Sequence, residues 1–216
     1  MPAHELYDER RLSDSGAAGA VVVHGSVRDR AARADRMDTL VKDALAPERE
    51  AHRLPDPPYF DPTALRHELT AIFRAHDESA ELARPAVVER LRELMVGARE
   101  SARAQLLHDG KGRRCAEGLS TFMDELIALI FDYTRAHVYR SNNPADTERL
   151  TIVATGGYGR AMLAPGSDID LLFLLPYKQT PWGESVVEYI LYILWDLRLK
   201  VGHATRTVDQ CLQLAR

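Results

Sequence analysis

Near Pro144 the spacing of apolar residues changes, and that change limits the architecture more than any other feature of this chain. Upstream, apolar residues recur three and four apart; downstream they form short β-branched runs. Such a chain builds a helical layer first and a sheet after it, an α/β (α+β) arrangement. Asp61-Pro62 is an N-cap followed by a first-turn proline, and Leu65, Leu69, Ile72, Phe73 and His76 form the stripe of a first helix. Pro85 opens the second, with Val87, Leu91, Leu94, Met95, Ala98, Ala102 and Leu106 on one face, and His108-Asp109-Gly110 stops it. The third starts near Gly118 or Ser120, carries Phe122, Leu126, Leu129, Ile130 and Tyr133, and breaks at Ser141-Asn142-Asn143-Pro144.

Beyond the break, Leu150 to Thr155 and Asp168 to Leu175 read as buried strands. Thr180-Pro181 starts a helix, apolar nearly all round, that reaches Trp195 or Leu197 and packs across the sheet, with Trp195, Tyr189 and Tyr192 in the core. Leu199 to Arg206 is a third strand, and Thr207 with Gln210 forms a capping box. Three regions follow: a mobile arm over 1–57, where small, Arg and Asp residues alternate without sustained apolar periodicity, a helical subdomain over 58–145, and a sheet-bearing unit over 146–216. The last looks truncated, since its closing helix has barely begun at Arg216.

Charge and composition exclude several function classes. Twenty-eight basic against 32 acidic side chains leave a net charge of -4, so no overall basic field recruits nucleic acid. Cys115 and Cys211 show neither a disulfide framework nor zinc-ligand spacing. No apolar run reaches the ~18 residues of a membrane span, and the acidic start is not built like a signal peptide. A cytoplasmic protein with no membrane partner is expected.

The chemistry concentrates in Gly156-Gly157-Tyr158-Gly159-Arg160 and Ser167-Asp168-Ile169-Asp170. With a side-chain period of two, Asp168 and Asp170 share one face of a strand, their α-carbons roughly 6–7 Å apart. Two carboxylates that close repel each other, and a hard cation such as Mg²⁺ resolves the conflict while leaving positions for phosphates. Gly156 and Gly157, directly after a strand, let backbone N–H groups approach a polyphosphate, and Ser167 can donate its hydroxyl to the same group. Arg160 either adds charge or pairs with a carboxylate to fix the turn. Singly these motifs are ordinary turns and strand ends; their order makes the combination restrictive. Competing motifs fail: Met162 stands where a dinucleotide fingerprint needs Gly or Ala, Gly110-Lys111-Gly112 lacks a Walker sequence, and Leu172 occupies a ligand position of an EF-hand.

Together with Leu-Trp-Asp-Leu at 194–197 and Val-Gly-His-Ala-Thr-Arg-Thr at 201–207, these segments resemble the nucleotidyltransferase domain of the bifunctional enzymes that uridylylate and deuridylylate the PII nitrogen-signalling protein. The similarity covers about residues 60–216. It implies a polymerase-β-like palm, incomplete here, and Mg²⁺-dependent transfer of a uridylyl group from UTP to a tyrosine of PII. Asp168 and Asp170 match the family's metal-binding catalytic pair; Gly156, Gly157 and Ser167 match its nucleotide-holding turn, with Arg160 as an added nucleotide contact. The family continues with a His-Asp hydrolase domain and two ACT domains, which nothing in these residues matches, so deuridylylation is not assigned. His76-Asp77 and His108-Asp109 are read as helix-face and helix-end residues. A third carboxylate, common in the superfamily, is missing from the strand at 199–206 and only flanked by Asp196 and Asp209. His203 reads as a packed strand histidine or a contact to nucleotide or acceptor. Two other readings fit the same motifs: a nucleotidyltransferase moving an adenylyl group or serving a small-molecule acceptor, and a truncated fragment that binds nucleotide without turnover.

Overall fold

The computed structural model describes residues 22–23, 56–140, 149–176 and 178–215. Except for Val22–Val23 and residues 56–57, the arm lies outside the described residues, as does the expected break at 141–144.

Helix α1 (Pro62–Ala75) begins where its cap dictates, with Asp61 Oδ1 accepting from the Thr63 and Ala64 N–H groups at 2.8 and 3.2 Å. It buries Leu65, Leu69 and Phe73. Helix α2 (Ala80–Asp109) starts ahead of Pro85, which does not open it: Ser79 is the cap, and Pro85 sits inside the helix. The ring removes one N–H near the helix start and leaves the Glu81 carbonyl without its in-helix donor, a loss that an exposed first turn tolerates. Gly110, at φ +65°, ends the helix in the left-handed region. Helix α3 (Gly112–Tyr133) likewise starts earlier than the apolar pattern suggests, with Lys111 at its N-cap and Asp109 Oδ1 accepting from the Lys111 N–H at 2.9 Å in the turn before it. It runs into a π-helical turn at Thr134–Val138, where Thr134 Oγ1 donates to the Ile130 carbonyl at 2.7 Å.

The sheet has four strands in the order β1 (Val22–Val23), β2 (Thr151–Thr155), β3 (Ile169–Leu175), β4 (Val201–Thr207). β1 runs parallel to β2, β2 antiparallel to β3, and β3 parallel to β4. Alternation along β2 and β3 decides which face is covered. Ile152, Ala154, Ile169, Leu171, Phe173 and Leu175 are buried and share one hydrophobic cluster with α3 and helix α4 (Pro181–Asp196). Each of these side chains other than Ala154 contributes about 1.5–3 kcal/mol when fully buried. On the opposite face Thr151, Val153, Thr155, Asp170, Leu172 and Leu174 are only half-buried.

Helix α4 is capped by Thr180, whose Oγ1 accepts from the Gly183 N–H at 3.1 Å. Of its aromatic residues only Tyr189 is buried. Tyr192 and Trp195 stay 49% and 45% exposed, contrary to the core placement expected, because they turn to the outer side of α4 and stack edge-on, with Trp195 meeting His203. Helix α5 (Val208–Leu214) carries the expected capping box, both bonds between Thr207 and Gln210 being made. No helix among the described residues is long and apolar enough to cross a membrane.

Candidate functional site

Strand register brings the sequence motifs to one end of the open sheet face. Asp170 lies opposite Thr155 on one side and Gly202 on the other. Its carboxylate fills the space beside two glycines. A Cβ on Gly156 would come within 2.5 Å of Asp170 Oδ2, and one on Gly202 would collide with Oδ1. Gly156 also adopts φ +61°, which disfavours any side chain. Asp170 is thus half-buried and cradled by backbone, and among the described residues it makes no hydrogen bond or ion pair. A half-buried carboxylate without a partner is costly, and a cation relieves the cost.

Asp168 precedes β3 rather than lying within it and is 64% exposed. It faces Lys200, whose Nζ stands 3.8 Å from Oδ1, and the Ile169 N–H donates to the Lys200 carbonyl at 2.9 Å. Arg160 and Arg206 are exposed, and neither pairs with a carboxylate among the described residues. The register puts Arg206 opposite Leu174, on the same open face as Asp170. At this sheet end Lys200 borders the carboxylates and Arg160 stands beside Gly157, whereas Arg206 lies four residues further along β4, toward the other end of the strands.

The turn after β2 is held from below by contacts that sequence reasoning missed. Tyr158 is almost fully buried and donates to Asp124 Oδ1 on α3 at 2.6 Å. Burial, then the neighbouring Asp124 charge and their hydrogen bond, pushes the Tyr158 phenol well above its ordinary range, so it stays a donor. A second tie uses Ser120, buried on α3, whose Oγ accepts from the Leu163 N–H at 3.1 Å and donates to the Ala116 carbonyl at 2.9 Å. The only sequence signals were a tyrosine inside a glycine turn and a serine on an apolar helix face. Gly159 approaches β2 so closely that a Cβ would lie 2.5 Å from the Ala154 carbonyl oxygen. Gly157 differs: it has right-handed backbone angles, and an added Cβ would meet only the Met162 carbonyl oxygen at 3.8 Å and the Arg160 guanidinium at 3.9 Å, both ordinary contacts. Ser167 is exposed and follows Gly166, whose φ of +80° makes the bend that returns the chain to β3.

The two His-Asp dipeptides are used structurally. The His76 ring meets the Ile72 carbonyl, and Asp109 binds the Lys111 N–H and Arg114. Those contacts hold the Asp109 carboxyl below its usual range, the Lys111 N–H first. Among the described residues no third acid is shown joining the site: Asp196 pairs with Arg84 at 2.7 Å, and Asp209 lies in the first turn of α5. Among the described residues no cluster of three or more His, Cys, Asp or Glu is placed to hold a metal ion. The donor set still suits Mg²⁺, which binds through one or two carboxylates and completes its shell with water and substrate phosphates.

Fold and site together define an α+β protein that presents a glycine-cradled carboxylate and a second acid, with Lys200 and Arg160 nearby, at one end of an open sheet face. A protein of a Bradyrhizobium species named bifunctional uridylyltransferase/uridylyl-removing enzyme is 49% identical over 174 residues, which are 81% of this chain and 18% of that protein. Its namesake in Rhodopseudomonas palustris is 49% identical over 157 residues, 73% of this chain and 17% of that protein. No family model matches the chain, and no solved structure does. The chain corresponds to a segment of the bifunctional uridylyltransferase/uridylyl-removing enzymes and spans about 18% of the length of the curated relatives it matches.

Proposed function

We propose that this chain is the transferase portion of such an enzyme and moves a uridylyl group from UTP to a tyrosine of the PII signalling protein, on a polymerase-β-like palm. The observation that carries the reading is the Asp170 carboxylate, set between Gly156 and Gly202 and lacking any partner among the described residues. The relatives' printed name supports uridylyl transfer as the chemistry.

Asp168 and Asp170 would hold Mg²⁺, which when bound supplies Lewis-acid stabilisation of charge developing on the phosphate oxygens. The protein's own groups position the substrate. Gly157 lets the triphosphate approach the backbone, Ser167 offers a hydroxyl donor, and Arg160, whose guanidinium lies beside Gly157, adds positive charge where pyrophosphate departs. The acceptor phenol attacks the α-phosphorus in line with the leaving pyrophosphate, and no covalent enzyme intermediate forms. Lys200 releases Asp168 as the site fills, exchanging one partner for the phosphate chain.

Incubation with uracil-labelled UTP, Mg²⁺ and PII tests this. Label on a PII tyrosine, absent with the Asp168→Asn/Asp170→Asn double variant, supports the proposal. Label from ATP in place of UTP would move the chain to another nucleotidyltransferase class, and nucleotide binding without transfer would make it a binding fragment.

A further inference from the structure

On the covered side of the sheet, beneath the loop that carries Ser167, lies a pocket of about 400 Å³ between α2, α3 and residues Leu163 to Ser167. Small-molecule sites occupy roughly 300–1,000 Å³ and are mostly apolar with a few polar groups. This one follows that pattern: Met95, Leu119, Phe122 and Met123 line it, and no carboxylate does. It is separate from the carboxylate site, because Ile169 lines the pocket while Asp170, next along β3, takes the other face.

Arg99 and Arg103, one turn apart on α2, border the pocket. Elsewhere on α2 the arginines are matched to acids: Arg84 to Asp196, Arg90 to Glu68 and Arg92 to Glu89. Arg99 and Arg103 have no acid partner among the described residues. Two unmatched guanidinium groups beside an apolar cavity complement one kind of ligand. A wholly apolar molecule leaves both charges unused, and a wholly polar one gains nothing from the lining.

We infer that the pocket binds an amphipathic anion, a small molecule with an apolar body inside and one carboxylate or sulfonate between Arg99 and Arg103. Because Ser167 and Gly166 form part of the wall, occupancy braces the loop that leads into Asp168 and Asp170. Ser167 is shared with the proposed nucleotide site, but binding of the anion in the pocket does not depend on uridylyl transfer.

The probe is 1-anilinonaphthalene-8-sulfonate, titrated into the 216-residue chain by fluorescence, alongside its neutral analogue N-phenyl-1-naphthylamine. The expected result is saturable one-to-one binding of the sulfonate, weakened about tenfold in Arg99→Ala/Arg103→Ala, with the neutral analogue indifferent to that change. Met123→Trp, which fills the cavity, should abolish binding of both; if it fails to fold, the surface arginine variant alone decides. Non-saturating binding, sulfonate affinity unchanged in the arginine variant, or equal weakening of the neutral analogue overturns the inference. Decanoate displacing the sulfonate where 1-decanol does not extends it to carboxylates; equal displacement by the two contradicts the role given to the arginines.

Discussion

Asp170 is the residue whose surroundings have no structural explanation of their own: a half-buried acid held against two glycine backbones, with no partner among the described residues. Asp170→Asn keeps the shape and breaks no hydrogen bond, so unfolding free energy should move by less than about 0.5 kcal/mol. Transfer should fall at least about 100-fold. Denaturant titration beside the labelling assay separates the two, and a variant that loses stability instead would make the acid structural. The glycines divide in the same way. Gly159→Ala must push a Cβ into the Ala154 carbonyl and should cost about 1–3 kcal/mol. Gly157→Val finds room for its Cβ at ordinary contact distance from the Met162 carbonyl and the Arg160 guanidinium, so it should cost less stability than Gly159→Ala while weakening UTP binding measured by calorimetry. Unaltered affinity would remove Gly157 from the nucleotide turn. Asp168, Asp170 and the glycine pair could be singled out in the sequence because their order is restrictive. Gly202 could not, since only the β3–β4 register shows that it faces Asp170.

At the scale of elements, the turn after β2 is positioned by α3. The Tyr158–Asp124 and Leu163–Ser120 contacts fix both ends of the stretch that carries the glycines. Ser120→Ala leaves the buried Leu163 N–H without its acceptor and should cost about 1–3 kcal/mol. The residual activity of the folded variant should show a raised KM for UTP, because the loop into Ser167 loses an anchor. An unchanged KM would mean that the loop is held by packing alone. Helix existence, the Asp61 and Thr180 caps and the Thr207–Gln210 box were legible because each rests on neighbouring residues. The starts of α2 and α3 were not. Ser79 caps α2 before its apolar stripe begins and Pro85 is carried inside rather than placed at the first turn, while α3 starts at a Lys111 N-cap ahead of its stripe with no side-chain cap to announce it. The strand Asp168 to Leu175 shortens by one residue for a related reason: Asp168 lies in the bend that Gly166 creates.

Across the whole molecule, the helices from α1 to α4 and the covered face of the sheet share one hydrophobic cluster, with three tyrosines at its heart. Burial raises the phenols of Tyr133 and Tyr158, and brings Tyr189 to about 12. Unfolded tyrosine ionises near 10. The stability from keeping these phenols neutral is therefore complete below about pH 10 and is lost as pH climbs through the folded values. Urea unfolding should be insensitive to these groups up to pH 9 and weaken by roughly 2 kcal/mol by pH 11. A flat profile would contradict the buried, neutral state. The central proposal is more specific: Asp168 and Asp170 together would bind a divalent cation, with glycine and strand register leaving Asp170 open to it. Electron paramagnetic titration of Mn²⁺ in the presence of UTP tests it most directly. The account predicts one protein-bound ion per chain, lost in Asp168→Asn/Asp170→Asn while the far-ultraviolet dichroism spectrum stays the same. Equal Mn²⁺ binding by the double variant would contradict it.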